Sequence, residues 1–504
     1  MNEQTDGHDR TSSNPSDIHL ISKSRWVDWK KYICMSVGVG LFCLVYFSPS
    51  FPDAIDPQGE HFKLSHEGKT ALALFLLAAT WWVFEVVPIG VTSITIGVIQ
   101  VLFLVRPAKV AFGDFMDPSV WFIIGSITFG MVFSKTGLTK RMAYGMLVLV
   151  GERTSMIYLG SFVITAALTL IMAHTAVAAT IYPLLMAIYA LYAEDDRPTR
   201  FGKGLFIGMA FVAGAGSIIT LLGAARGAVA LGFFKDIVGR EVAFFELTYY
   251  MLPIGCLMVP LLWLYCMVLF KPERKTIPGL RERARMLYRR LGPITSTEIL
   301  SLAIVFSAIL VMSLRSFVPA FEPLNKSAII LVATILFFVT GILTIKDLES
   351  IPWNIVLLFG GAMSIGFCLW QTGAANWMAV EWLVLFQDAH WFIFVMGTAF
   401  FVLVMTNLIM NVAAIAISLP VALVIAPYLN VAPEIILFCS LVTAGMPFLL
   451  LVGAAPNAIA YESKQFSSGL FFMAGIPASV LLMIVLAFFV WLIWPLMGMP
   501  ITVQ

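Results

Sequence analysis

The chain has 504 residues, of which 60% are hydrophobic and 12% are charged, and its formal net charge is +2. Its mean hydropathy of +0.93 excludes a water-soluble globular domain. The composition instead predicts an all-α protein that crosses a membrane many times. Runs of about 20 apolar residues, enough to span a hydrocarbon layer of roughly 30 Å, recur from Tyr32 to the C-terminus.

The N-terminal residues 1–30 are polar and contain no apolar segment followed by a cleavage site of small residues. We therefore predict a disordered cytoplasmic tail rather than a signal peptide. All six cysteines lie in apolar segments and lack C-x-x-C spacing, so the sequence predicts neither disulfide bonds nor a zinc site.

Positive charge is concentrated in residues 271–296, which contain eight lysines and arginines against two glutamates. Because short cytoplasmic loops are enriched in Lys and Arg, we expect this loop on the cytoplasmic side. We interpret it as a topology anchor rather than a lipid or nucleic-acid site. Basic residues before the first span fit the same side. The sequence thus predicts a multi-pass protein of the plasma or inner membrane with a cytoplasmic N-terminus.

One tracing of about 11 crossings satisfies these charges. The predicted crossings lie near residues 32–48, 69–87, 88–105, 118–150, 203–235, 247–270, 297–318, 326–345, 353–386, 434–462 and 468–496. Two further apolar stretches, 156–190 and 393–428, would each move a basic loop to the wrong side if they crossed. We therefore predict two re-entrant hairpins, whose turns at membrane depth require surrounding protein or a water-filled cavity.

The chain also repeats itself. "KTGL" at 135–138 matches "QTGA" at 371–374, "HTAVAATIYP" at 174–183 matches "NVAAIAISLP" at 411–420, and "GAA" begins at both Gly223 and Gly453. The matches keep their order and nearly their spacing, which indicates a duplication. An odd number of crossings separates the copies, so the second copy is inverted. Inverted repeats with interrupted helices indicate a secondary transporter with a binding site near the bilayer midplane.

The two small-residue phrases, "GAARGAVA" at 223–230 and "GAAPNAIA" at 453–460, suit helices that break. A break frees carbonyl groups that can hold a cation and amides that favour an anion. The alternative is close helix packing through small residues. The matched duplication favours breaks.

The predicted hairpin tips lie near residues 172–179 and 409–414, where His174 and Asn411 occupy equivalent positions. Each follows a threonine by five residues, Thr169 and Thr406 respectively. Asn411 can present its oxygen to a cation or its amide to an anion. His174 can donate to an anion and can titrate, although a packing role is the alternative.

Arg226 places a full charge inside an apolar stretch, at a cost of at least about 2.5 to 3.5 kcal/mol. Its guanidinium suits carboxylate, sulfate or phosphate geometry. Three interpretations remain open. Arg226 contacts an anion directly, it replaces a coupling cation, or it reaches an interface or pairs with an acid such as Glu85.

Four segments in order and spacing resemble the divalent anion/sodium symporter family, which includes dicarboxylate, citrate and sulfate carriers. The segments are "EVVPIGVTSI" (85–94), "DPSVWFIIGSITFGMVFSKTGLTKR" (117–141), "WNIVLLFGGAMSIGFCLWQTGAANWMA" (353–379) and "GAAPNAIAY" (453–461). The resemblance implies a homodimer in which a scaffold holds mobile transport domains that carry substrate by an elevator-like displacement. It assigns residues 31–150 and 247–386 to the scaffold, and 151–236 and 390–496 to the transport domain.

The chain departs from the family at the first of two expected sodium sites. Family tips carry Ser-Asn-Thr, whereas the tips here read Ala173, His174, Thr175 and Met410, Asn411, Val412. Family breaks read approximately Gly-Thr-Pro-Pro-Asn, and only the second copy keeps the final Pro-Asn pair, which the first replaces with Arg226 and Gly227. The resemblance therefore implies a sodium site at Thr406, Asn411, Gly453 and Asn457, and an altered one near Thr169. The expected anion site comprises His174, Thr175, Arg226, Met410, Asn411, Val412, Ala455 and Pro456.

The sequence thus predicts a secondary active transporter of small anions, of the di- or tricarboxylate or sulfate type. Sodium is the expected coupling ion, and Arg226 with His174 supplies positive charge at the altered site. A proton-coupled or sodium-independent exchanger and an anion channel are the alternatives. An enzyme is not expected, since no H-E-x-x-H or G-x-S-x-G motif occurs in a plausible setting.

Overall fold

A computed structural model describes residues 29–55, 61–193, 197–386 and 390–502. The predicted tail lies almost wholly outside these ranges. The described chain is nearly all helical, apart from a short antiparallel pair, Ala54–Ile55 with His61–Phe62. Eight described helices are long and apolar enough to cross a membrane, and shorter apolar helices accompany them. These findings confirm the predicted all-α polytopic class.

The first half of the chain ends with a helical hairpin and an interrupted helix. Six helices precede them: α1 (Trp29–Phe47), α2 (His66–Val83), α3 (Ile89–Leu102), α4 (Ala108–Gly113), α5 (Pro118–Thr136) and α6 (Leu138–Val150). The hairpin and the interrupted helix then follow as α7 (Thr154–Thr169), α8 (His174–Tyr192), α9 (Arg200–Gly216) and α10 (Ala225–Val238).

The second half repeats this arrangement. Its leading helices are α11 (Phe244–Leu269), α12 (Leu280–Arg290), α13 (Ser296–Leu314), α14 (Lys326–Val339), α15 (Ile345–Glu349), α16 (Trp353–Gln371) and α17 (Ala374–Phe386). A second hairpin, an interrupted helix and the last helices follow as α18 (Trp391–Leu408), α19 (Asn411–Ile425), α20 (Pro433–Gly445), α21 (Ala455–Tyr461), α22 (Ser468–Phe488) and α23 (Trp494–Leu496).

The predicted single crossings over 118–150 and 353–386 are wrong, because each stretch contains two helices. Gly137 and Gly373 stand at the breaks with φ of 84° and 74°, a left-handed conformation that glycine adopts without steric cost. The helices that follow, α6 and α17, have 13 residues each and are too short to cross the bilayer. The repeated "TG" pair therefore marks a helix break in both halves.

The first hairpin enters and leaves on one face, as predicted. At the start of α7, the Thr154 amide donates to the Lys275 carbonyl over 3.0 Å. At the end of α8, the Tyr192 hydroxyl donates to the Glu273 carboxylate over 2.8 Å. Both contacts involve the basic loop 271–296, so both ends of the hairpin lie at what we call the basic face.

The second hairpin opens towards the opposite face. Trp391, at the start of α18, stacks on Trp491 with ring centroids 5.8 Å apart. After the end of α19, the Ala432 amide donates to the Ile501 carbonyl over 2.8 Å. This C-terminal segment packs on the first turns of α11, far from the basic loop where α11 ends, since Trp494 donates to the Tyr250 carbonyl. The opposed hairpins confirm the inverted repeat.

Glu273 joins the basic loop to the first hairpin, and its replacement provides a test of this part of the fold. Burial raises the pKa of its carboxyl, but hydrogen bonds from the Arg200 and Phe201 amides and the Tyr192 hydroxyl outweigh burial and leave the pKa below its ordinary value. A carboxyl group whose pKa is lower in the folded than in the unfolded state stabilises the fold at pH values above the unfolded-state pKa. This stabilisation is lost as the pH falls through the folded-state pKa.

We therefore expect Glu273→Gln to lower the melting temperature of the detergent-purified protein by a few degrees at pH 7. The difference from the wild type should shrink as the pH is lowered towards 4. Melting curves recorded across this pH range measure both effects. Glu282→Gln, on an exposed side chain of the same loop, is the matched control and should change little. A pH-independent difference would contradict the charge-based account.

Candidate functional site

Four helix N-termini from the two repeats meet at one cavity of about 370 Å³. They belong to α8 and α19, the second helices of the hairpins, and to α10 and α21, the second halves of the interrupted helices. The N-terminal residues that line the cavity are Ala173, His174, Thr175, Ala225, Met410, Asn411, Val412, Ala454 and Ala455. Because helix N-termini carry partial positive charge and unpaired amides, the arrangement favours an anion.

The two breaks have the same backbone geometry. Ala224 precedes α10 with φ −161° and ψ 140°, and Ala454 precedes α21 with φ −152° and ψ 147°. Both residues are extended, so the chain turns away from the preceding segment before the new helix begins. The repeated "GAA" phrase therefore encodes one local structure twice, which confirms the predicted interrupted helices.

The glycine of each phrase allows a hairpin backbone to approach. A Cβ atom at Gly223 would lie 2.7 Å from the Thr169 carbonyl oxygen. A Cβ atom at Gly453 would lie 2.8 Å from the Thr406 carbonyl oxygen. Both distances are too short for carbon and oxygen, so only glycine fits. The backbone carbonyls of the two predicted threonines, Thr169 and Thr406, thus lie next to the breaks.

His174 fastens the first tip to the first break. Its backbone amide donates to the Gly223 carbonyl over 2.9 Å, and its Nδ1 lies 3.2 Å from the same oxygen. Because a carbonyl only accepts, Nδ1 carries a proton. In a neutral ring Nε2 is then an acceptor, so it can accept a hydrogen bond in the cavity that His174 lines but cannot donate one to an anion.

Arg226 lies behind the cavity wall rather than among the residues that line it. Its side chain is 2% exposed, and Nη2 donates to the Ser217 hydroxyl over 2.9 Å. Ser217 directly follows α9, and a Cβ atom at Gly445, the last residue of α20, would lie 2.6 Å from Nη2. The guanidinium therefore lies between two helix C-termini, whose partial negative charge stabilises a cation.

No carboxylate pairs with Arg226 among the residues that the structure describes, and its Nη1 has no hydrogen-bond partner there. Glu85, the acid considered as its partner, is exposed and has a left-handed backbone. Two helix C-termini and one hydroxyl group surround the positive charge. This environment is what a bound cation would require.

The second repeat has Pro456 in place of Arg226, and oxygen atoms of other residues lie beside its break. Asn457 donates its amide to the Pro447 and Leu450 carbonyls over 2.8 and 3.1 Å, which leaves Oδ1 able to accept or ligate. The Thr406 hydroxyl donates to the Ala444 carbonyl over 3.1 Å. Carbonyl, hydroxyl and amide oxygens at a broken helix are the ligands that hold sodium in secondary transporters.

The structure divides the predicted site residues into two groups. The cavity is lined by His174, Thr175, Met410, Asn411, Val412 and Ala455. Behind it, beside the breaks, lie Thr169, Arg226, Thr406, Gly453, Pro456 and Asn457. Six of the predicted residues therefore meet at one cavity, and six lie around it.

Sequence reasoning missed the wall formed by α5 and α16. Phe122 and Ser126 on α5 and Phe359 on α16 also line the cavity. Ser126 donates to the Leu222 carbonyl over 3.0 Å, which ties α5 to the first break. Their segments had been singled out by resemblance, but an apolar run of residues does not indicate which face points to a cavity.

Asn407 was also missed. Its amide donates to the Leu403 carbonyl, and its Oδ1 accepts from the Leu449 and Leu450 amides. This bridge fixes the loop that precedes the second break. A polar asparagine inside the apolar helix α18 could have indicated a structural or functional role for this residue.

Comparison with known proteins gives consistent matches along almost the whole chain. The family model described as the sodium:sulfate symporter transmembrane region matches residues 42–500. The sodium-dependent dicarboxylate transporter SdcS of Staphylococcus saprophyticus is 24% identical over 462 residues, covering 87% of this chain and 89% of its own. An uncharacterized transporter of Haemophilus influenzae is 25% identical over 438 residues, covering 85% of this chain and 92% of its own.

Among solved structures, Neisseria gonorrhoeae MtrF resembles this chain with a TM-score of 0.58 and 12% sequence identity. The alignment covers 94% of this chain and 96% of MtrF, whose structure is described as illuminating a class of antimetabolite efflux pumps. At this identity the likeness supports the fold alone.

Proposed function

The chain belongs to the sodium:sulfate symporter family, and on that premise we propose that it is a secondary active transporter of small anions coupled to sodium. The family's name and that of SdcS point to sulfate and dicarboxylates, so a di- or tricarboxylate or sulfate is the first substrate class to consider. Membership of a transporter family also agrees with the expectation that the chain is not an enzyme.

The observation that carries this proposal is the meeting of four helix N-termini at one cavity. Amides at these N-termini bind the anion without a fixed charge on the cavity wall, so the anion can be released again. The Thr175 hydroxyl and the Asn411 amide are the side-chain groups in the cavity lining that can donate to it.

Sodium binds in this proposal at the second break. Asn457 Oδ1 and the backbone carbonyls of Thr406 and neighbouring residues form the ligand set, with Asn411 at the adjacent tip. Gly453 permits the close approach of the hairpin. A cation here would strengthen the field that attracts the anion to the tips.

Arg226 takes the place of a sodium ion at the first break. Its guanidinium lies between the C-termini of α9 and α20 and away from the cavity, which favours cation replacement over direct substrate contact. The proposal therefore gives the protein one sodium site where a symmetric arrangement would give two.

The proposed transport movement is a displacement of one part of the chain against another. We assign residues 31–150 and 247–386 to a scaffold, and 151–236 and 390–496 to a transport domain that moves the tips and breaks together. The cavity lies between the tips and α5 and α16 of the scaffold, where such a displacement would occur. We further propose that two copies of the chain form a homodimer through their scaffolds. The basic face and the N-terminus lie on the cytoplasmic side of the membrane in this proposal.

The test is uptake into proteoliposomes of labelled succinate, citrate and sulfate, with sodium and pH gradients imposed separately. We expect an inward sodium gradient to drive accumulation of an anion against its own gradient. Accumulation driven by pH alone would support the proton-coupled alternative. Unitary currents in a planar bilayer would instead indicate a channel.

His174→Asn separates sodium coupling from proton coupling. Asparagine can still donate to the Gly223 carbonyl, so the tip should remain attached to the break. If sodium is the only coupling ion, the variant should retain at least about half of the wild-type uptake with an unchanged pH profile between pH 5.5 and 8. A pH profile that becomes flat would show that His174 carries a coupling proton.

A further inference from the structure

The basic loop 271–296 contains the helix α12, whose neighbours place it at the membrane surface. The loop follows α11, which ends at Leu269, and precedes α13, which begins at Ser296. Both α11 and α13 are long and apolar enough to cross the membrane. With 11 residues, α12 is itself too short to cross. It therefore lies at the basic face, at the level where the crossing helices end.

One side of α12 packs on the first half of the chain. Leu280 and Ala284 are buried, and the helix contacts α6. Before α12 begins, the Ile277 amide donates to the Glu152 carbonyl over 2.9 Å. Just after α12 ends, the Arg141 guanidinium of α6 donates to the Gly292 carbonyl over 2.9 Å. Contacts at both ends thus fix which side of the helix faces away from the protein.

The exposed sides of α12 carry a high density of unpaired positive charge. Glu282 is the one acidic residue of the helix. None of the arginine side chains of α12 forms an ion pair with another residue in the part of the chain that the structure describes. The five exposed arginines are Arg281, Arg283, Arg285, Arg289 and Arg290.

Three of these arginines form one stripe along the helix. Arg281, Arg285 and Arg289 recur every four residues, so their side chains follow one another over about 12 Å. Like charges at this spacing destabilise a helix unless an anion lies beside them. A topology anchor requires basic residues near the ends of the crossing helices, but it does not require a stripe. The stripe therefore indicates an extended anionic partner.

Exposed apolar side chains accompany the arginines. Met286 and Tyr288, which flank the stripe by their helical positions, are 53% and 39% exposed, and the nearby Ile294 is 48% exposed. Helices that combine basic residues with exposed apolar and aromatic side chains lie in the membrane interface. A small soluble anion would account for the arginines alone, whereas a membrane surface accounts for both kinds of side chain.

We propose that α12 binds the phosphate groups of anionic phospholipids in the leaflet at the basic face. The guanidinium groups of Arg281, Arg285 and Arg289 bond to the phosphates of neighbouring lipids, a geometry that suits the planar donors of arginine. Met286 and Tyr288 reach the boundary between headgroups and acyl chains. This binding goes beyond the proposed transport and does not depend on which anion or coupling ion the cavity takes.

Native mass spectrometry of the purified full chain, with phosphatidylglycerol or phosphatidylcholine added separately, measures this binding. The wild type should retain phosphatidylglycerol at least about tenfold more strongly than phosphatidylcholine. The free headgroup, glycerophosphoglycerol, should not displace the lipid at equal concentration, because it lacks the acyl chains. This arm separates a membrane lipid from a soluble phosphate.

Two triple variants of equal charge test the position of the site. Arg281→Gln with Arg285→Gln and Arg289→Gln should reduce the preference for phosphatidylglycerol by at least about tenfold. Arg153→Gln with Arg197→Gln and Lys271→Gln is the matched control. It removes three exposed basic residues of the basic face outside α12 and should keep the preference.

Each possible result decides a separate part of the inference. Equal retention of the two lipids by the wild type overturns the inference, whether or not the variants fold. An equal loss of preference in both triple variants overturns the assignment to α12. Displacement of the lipid by the free headgroup overturns the membrane partner. None of these measurements uses transport, so each of them leaves the proposed function standing, and failure of sodium-driven uptake would leave the lipid site standing.

Discussion

Arg226→Ala is expected to abolish sodium-driven anion uptake, with a loss of at least about 100-fold. The guanidinium is buried between the ends of α9 and α20, and its removal leaves the Ser217 hydroxyl and two negative helix ends without a cation. Because no carboxylate pairs with Arg226 among the described residues, the expected loss comes from the missing cation rather than from a broken ion pair. Uptake into proteoliposomes, normalised to the amount of folded protein measured by size-exclusion chromatography, gives the result.

Two further variants decide why Arg226 matters. Arg226→Lys keeps the charge but loses the planar donors, so it should retain part of the uptake. Arg197→Ala removes an exposed arginine and should have little effect. Full activity of Arg226→Ala would contradict the role of a fixed cation.

The double variant Arg226→Pro with Gly227→Asn gives the first break the sequence of the second. If the guanidinium replaces a sodium ion, this variant should recover uptake that depends more steeply on sodium concentration than uptake by the wild type does. An activity that stays absent at every sodium concentration would count against a second, restorable ion site.

Asn457→Ala is the second substitution with a large expected effect. We expect the sodium concentration for half-maximal uptake to rise at least about tenfold, since Oδ1 is lost as a ligand and the Pro447 and Leu450 carbonyls lose their donor. Uptake measured across a sodium series at saturating anion provides the test.

Asn457→Asp provides the comparison, because it keeps an oxygen and adds a negative charge beside the ion. Its sodium requirement should stay closer to that of the wild type. Asn430→Gly, at an exposed left-handed position outside the site, should behave as the wild type. An unchanged sodium dependence in Asn457→Ala would remove this residue from the sodium site.

The breaks and tips could be predicted because their causes are local. Ala224 and Ala454 are extended in both copies of the phrase, Gly223 and Gly453 permit the same close approach, and the duplicated order indicated that these residues matter. The opposed hairpins could be predicted because Lys and Arg fix which loops share a side. Local sequence thus predicted the breaks and tips, and the distribution of Lys and Arg predicted the orientation of the hairpins.

The remaining features depend on tertiary contacts. Gly137 and Gly373 each interrupt an apolar run without a proline, so hydropathy joined the helices on either side, even though basic residues flank Gly137. The direction of the Arg226 side chain depends on Ser217 and Gly445, which lie on different helices. Likewise, no sequence period indicates that Phe122 faces the tips of distant hairpins.

A guanidinium that belongs to the chain and an ion that dissociates move different net charges across the membrane over a full transport cycle. In the proposed cycle, sodium bound at the second break would be released with the substrate, whereas the charge of Arg226 would travel in both directions. Moving one elementary charge through a potential of 100 mV changes the energy by about 2.3 kcal/mol. An interior-negative voltage would therefore hinder the outward return of the empty carrier, and the resting voltage of the cell would set how often it can turn over.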